Sequence, residues 1–127
     1  MRVAEPEPVV IILITFPTDG DVTAFAMALV GDGAAACVTV LPDVQSVYRW
    51  EGAIEQVRER QLIVKTTRDM VDRLRRRVAD LHPYDTPEFL VLRVVGGEER
   101  YLAWIRDAVG AGVPTKADGS PQKVEPT

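Results

Sequence analysis

Two extended runs, each longer than ten residues, meet at Glu51-Gly52: Ala36 to Trp50 on one side and Ile54 to Thr66 on the other. Glu-Gly suits a tight reversal between strands, and Leu62-Ile63-Val64-Lys65 is strongly strand-forming, so the pair reads as a long β-hairpin. Pro42-Asp43 interrupts the first arm, because proline cannot donate to a ladder and is found at edges and bulges. Strands in small domains usually run about 5–6 residues, and an arm this long leaves unpaired edge groups in a monomer. The hairpin therefore predicts an oligomer whose sheets continue from one subunit to the next.

The remaining elements must be compatible with that hairpin. Val9-Val10-Ile11-Ile12-Leu13-Ile14-Thr15 is a continuous β-branched run ended by Pro17, the pattern of a central strand buried on both faces. Val22, Phe25, Ala26, Leu29 and Val30 recur with helical period, with Asp19 or Asp21 available as cap and Gly31 and Gly33 at the end. After the hairpin, Thr67 or Asp69 caps a second helix with Val71, Leu74, Val78 and Leu81 on one face, stopped by His82-Pro83. Phe89 to Val95 forms another strand, and Tyr101, Leu102, Ile105, Ala108 and Val109 mark a short C-terminal helix. The order β-α-β-β-α-β-α gives an α+β fold, a ferredoxin-like split βαβ sandwich with helices on one face of an antiparallel sheet. Residues 1–8 and 110–127 lack any apolar period and read as flexible tails around a single domain at 9–109.

Composition narrows the function classes. A net charge of −4 over 127 residues argues against a protein that wraps nucleic acid. Arg73, Arg75, Arg76 and Arg77 share their helix with Asp69, Asp72 and Asp80, so they read as a solvated, salt-bridged face. Cys37 stands alone, so no intramolecular disulfide and no cysteine-rich zinc site is possible within one subunit, and a reducing cytoplasm is expected. The N-terminus has no apolar signal core, and the run Val9 to Ile14 is too short to cross a bilayer, so no membrane partner is expected.

Chemistry-bearing residues gather in His82-Pro83-Tyr84-Asp85-Thr86-Pro87-Glu88, a rigid polar junction between helix and strand. His82 is the natural metal ligand, joined by Glu88 or Asp85 or by equivalents of another subunit. The alternative is structural, with His82 capping the preceding helix and stacking on Tyr84. Cys37 offers a soft thiolate but lies in an apolar run that suggests plain burial. Tyr48 and Trp50 share one face of the hairpin end and, with Glu51, suit an intersubunit contact or the wall of a cleft. Lys65, in a mostly buried strand, needs a partner such as Glu88. No nucleophile–base pair and no phosphate-loop, zinc-protease or calcium-loop motif is present, so no enzymatic activity is expected.

The segments Ala36-Cys37-Val38-Thr39-Val40-Leu41-Pro42, Ser46-Val47-Tyr48-Arg49-Trp50-Glu51-Gly52, Lys65-Thr66-Thr67, His82 to Glu88, and Tyr101-Leu102-Ala103-Trp104-Ile105 together resemble the CutA divalent-cation tolerance proteins. The resemblance spans residues 9 to 109. It implies a ferredoxin-like subunit in a tight homotrimer with clefts between subunits, an architecture similar to the PII signalling trimers. It also implies a role in tolerance or response to divalent metals, with copper or another divalent cation taken weakly at intersubunit sites and not required for folding. This chain has Leu81 and Ile14 where some family members carry a histidine and a cysteine. The competing expectation is a PII-like module in which an anionic metabolite occupies a cleft near Lys65, Tyr48, Trp50, Glu51 and Glu88.

Overall fold

A computed structural model describes residues 5–110; residues 1–4 and 111–127, most of the two stretches read as tails, lie outside the described residues. The elements are β1 (Val9–Pro17), α1 (Val22–Gly31), β2 (Cys37–Trp50), β3 (Ala53–Thr67), α2 (Val71–Leu81), β4 (Leu90–Arg93) and α3 (Glu99–Ala108), with a single 3-10 turn, Arg68–Met70, leading into α2. The sheet order is β2-β3-β1-β4 with every neighbour antiparallel, the ferredoxin-like arrangement that the element order predicts.

β1 is central and its two faces differ. Val10, Ile12, Ile14 and Phe16 join Leu62 and Val64 of β3 beneath Val22, Phe25 and Leu29 of α1 and Leu74 and Val78 of α2. Ile11 and Leu13, on the opposite face, are only half-buried. α3 covers one end of that second face, packing Leu102 and Ile105 against Val9 and Ala36. Beyond α3 the described residues leave this face open, with Leu90 and Leu92 of edge strand β4 exposed on it.

Local chemistry explains the boundaries. Asp21 caps α1 by accepting the Ala24 N–H at 3.0 Å. Neither Thr67 nor Asp69 caps α2: Thr67 makes no capping bond, and the cap position falls at Met70 after the 3-10 turn. That turn is held from outside, because Arg68 N–H donates to the Pro8 carbonyl at 2.9 Å and Asp69 N–H donates to the Glu7 carboxylate at 2.9 Å. The ladder of the last strand is shorter than the Phe89–Val95 run: Leu90–Arg93 pair with Val10–Leu13, and beyond them Val94 N–H donates to the Val9 carbonyl at 3.3 Å. Among the arginines of α2, Arg75 pairs with Asp72 at 3.1 Å, whereas Arg77 reaches Asp32 at the end of α1 at 2.7 Å and fastens the helices together.

The hairpin turns in two residues. Trp50 pairs with Ala53, and Glu51 and Gly52 have φ of 48° and 81°, the left-handed pair that matches the twist of the strands. The interruption expected at Pro42 is a bulge. Val40 pairs with Leu62 and Asp43 with Arg60, so Leu41 and Pro42 together oppose Gln61 alone. One extra residue reverses the facing of everything beyond it. Before the bulge Cys37 and Thr39 share the open face with Lys65 and Ile63; after it Ser46, Tyr48 and Trp50 share that face with Glu59.

Candidate functional site

Reversed facing creates a cleft on the open face. Tyr48 and Trp50 on β2, Glu59 and Gln61 on β3, Thr15 on β1, and Tyr84, Asp85 and Glu88 on the loop after α2 line a cleft of about 700 Å³. That volume lies within the range of small-molecule sites, roughly 300–1,000 Å³. The walls are aromatic and the charged groups are all carboxylates.

His82 builds this cleft from behind rather than lining it. Its backbone N–H caps α2 on the Val78 carbonyl at 2.8 Å, and the ring, 7% exposed, lies against Phe16, Phe25 and Tyr84. Nε2 lies 2.6 Å from the Thr15 carbonyl, which can only accept, while Nδ1 accepts the Tyr84 N–H at 3.1 Å. Both ring nitrogens are thus engaged, in the Nε2–H tautomer. The histidine ties β1 to the loop and aims Tyr84 forward.

Tyr84 donates its hydroxyl to Glu59 at 3.3 Å. Burial, followed by the negative charge of Glu59, holds the phenol above its ordinary pKa. Glu59, only 6% exposed, is the site residue that sequence reasoning missed. Its surroundings, Glu55-Gln56-Val57-Arg58-Glu59-Arg60-Gln61, are polar at nearly every position, so no alternation marks one side as inward. Its i,i+2 spacing from Gln61 was the available signal, since such residues share a face. Gln61 donates its amide to Glu88 at 2.9 Å and to the Ile14 carbonyl at 3.0 Å.

Lys65 and Glu88 are not brought together. Lys65 lies six residues along β3 from Glu59, roughly 20 Å at about 3.3 Å per residue. There it donates to the Tyr101 hydroxyl at 3.0 Å, with its ammonium 5.3 Å from the ring centre. The hydrogen bond holds its pKa above the ordinary value although burial pulls the other way. Cys37 pairs across the strands with Lys65 and is half-buried rather than enclosed, its Sγ 3.9 Å from Thr39 Oγ1. Glu51 occupies the turn and stays outside the cleft lining.

Residues 10–108 match the family model described as CutA1 divalent ion tolerance protein. The chain belongs to the CutA1 family. A divalent-cation tolerance protein CutA from Thermus thermophilus is 40% identical over 100 residues, covering 79% of this chain and 97% of its own length. One from Pectobacterium atrosepticum is 44% identical over 96 residues, covering 76% and 87%. The solved structure of CutA1 from Oryza sativa superposes with a TM-score of 0.79 at 33% identity, over 82% of this chain and 95% of that one.

The CutA1 name raises the question of a resident metal. Among the described residues no three His, Cys, Asp or Glu side chains group closely enough to hold one. His82 has no free ring nitrogen, Cys37 lies at the other end of the face, and Glu88 is engaged by Gln61. The described side chains of one protomer do not fit a bound copper or zinc ion. No helix among the described residues is long and apolar enough to cross a membrane.

Proposed function

We propose that the chain acts in the cytoplasm as a non-catalytic homotrimer in tolerance or response to divalent cations, with residues 9–109 as its folding unit. The observation that carries the trimer is the open sheet face. Ile11, Leu13, Ile63, Leu90 and Leu92 form an apolar surface that α3 leaves uncovered, and the hairpin projects Val47, Trp50 and Ile54 into solvent. Such a surface is buried by other copies in obligate oligomers. The role in cation tolerance is supported by the names of the relatives. We assign any metal contact to groups shared between subunits, since the described residues of one protomer do not assemble a site. Light scattering should give three times the 14.0 kDa of the chain, and expression in a bacterium lacking its own CutA1-family gene should restore growth in elevated copper. A monomer would overturn the first claim, and unrestored growth the second.

A second reading, a small-molecule-binding trimer, is favoured by the cleft itself. Its volume and its three aromatic walls suit an organic ligand.

A further inference from the structure

Opposite charges mark the two ends of the open sheet face. Side chains alternate along β3 without a break, so Lys65, Ile63, Gln61, Glu59 and Glu55 all point to this face. Arg60 and Arg93 stand opposite the core residues Phe16 and Val10, and with Arg49 and Arg58 they take the helix side. Among the described strand residues, Lys65 is therefore the one cation on the open face.

Lys65 and Glu59 cannot meet within a protomer. Six residues of β3 separate them, roughly 20 Å at about 3.3 Å per residue. Each has a neutral partner instead. Glu59, 6% exposed, accepts from the Tyr84 hydroxyl, and Lys65 gives one of its three ammonium N–H groups to the Tyr101 hydroxyl. No ion pair among the described residues involves either side chain. A carboxylate as buried as Glu59 is costly without a counter-charge, whereas the exposed Glu55 is met by water.

Between the two ends lies the apolar surface that carries the trimer reading. Every contact in a three-fold ring is heterologous, so a subunit offers one patch to one neighbour and a different patch to the other. The acidic end of a subunit then meets a patch unlike itself, and the patch of matching charge on this face is the basic end of the next copy.

We propose that each contact of the ring joins these unlike ends, the ammonium of the partner subunit's Lys65 pairing with the Glu59 carboxylate in the cleft, while Tyr84 and Tyr101 aim the two charges. This rests on the trimer reading above and names the pair that sets which ends meet. Such a pair fixes register as well as affinity, because ends of like charge repel when brought together.

The test is a double-mutant cycle on the full-length protein, with assembly followed by light scattering over a dilution series. Lys65→Met and Glu59→Gln should each weaken association by at least about thirtyfold, since each leaves the other charge buried and unpaired. The double variant should lose about as much as one single variant, far less than the product of the two. Sites about 20 Å apart in one protomer lie beyond the roughly 7–10 Å over which residues couple, so this non-additivity reports a contact between subunits. Glu55→Gln should combine additively with Lys65→Met. Where the single variants do not fold, charge reversal decides: Glu59→Lys and Lys65→Glu should each lose the trimer, and the two together in one chain should regain it. Additive losses for Lys65 and Glu59, coupling of Lys65 to Glu55 in place of Glu59, or a doubly reversed chain that assembles no better than the single reversals would each overturn the pair and leave the trimer reading standing. A parent mass of 14.0 kDa would overturn both.

Discussion

The two ends of the open sheet face are built from the same strands and reach opposite electrostatic solutions. At the α3 end, Lys65 finds the hydroxyl and ring of Tyr101, and a helix packs over the cluster. At the hairpin end, Glu59 and Glu88 find only neutral donors among the described residues, and a cleft lies in front of them. A Lys–Glu pair would have quenched both ends at once, but six residues of β3 separate them. A strand fixes the distance between two residues as firmly as it fixes their common side. The contrast teaches that shared facing on a strand does not imply contact, and that the acidic end is left for something outside the protomer to complete.

The comparison holds only if His82 is the structural support of the acidic end. His82→Ala removes the bond to Thr15, the acceptor for Tyr84 N–H and a ring packed on Phe16 and Phe25. The expected loss is about 3 kcal/mol in urea denaturation at fixed protein concentration and without metal. A loss seen only after metal is added would make His82 a ligand and reverse the comparison.

The hairpin turn comes next. Gly52→Ala places a Cβ at φ of 81°, and nothing lies within 4 Å to clash, so the backbone conformation alone sets a cost of about 1 kcal/mol. A lowered midpoint in thermal unfolding with an unchanged position of Trp50 fluorescence would show that the cleft survives.

Tyr84→Phe should cost a similar amount or less, about 0.5–1.5 kcal/mol at neutral pH. Because the folded phenol holds its proton more tightly than its ordinary value of 10.0, its contribution is complete below that pH and fades as pH rises through the folded value. The gap between variant and parent should therefore narrow in strong alkali. Glu59→Gln should move the phenol absorbance titration to lower pH but not fully to the ordinary value, since burial remains.

The smallest effect belongs to the basic end. Tyr101→Phe removes the acceptor for Lys65, a part-buried contact that, discounted for solvent screening, is worth about 1 kcal/mol or less. The Lys65 titration followed by NMR should fall toward 10.5, and the stability difference should be present below that pH and disappear above the folded value. A larger loss here than at His82 would show the two ends to be wrongly ranked.

Sequence alone settles which segments are strands and helices, the tight turn at Glu51-Gly52, the interruption at Pro42, an aspartate cap at Asp19 or Asp21 and the family, because each depends on periodicity, local backbone preference or motif order within a short stretch. It also marks His82 to Glu88 as the segment to watch. The tertiary structure alone decides that His82 faces inward to Thr15, that Lys65 meets Tyr101 instead of Glu88, and that Glu59 belongs to the site. The reason is parity. Side chains alternate along a strand, so a single extra residue at Leu41-Pro42 exchanges the two faces of the distal hairpin. A proline in a strand pattern predicts that something gives way there, but only the paired register of β2 and β3 says by how many residues, and hence which side chains come to stand around the cleft.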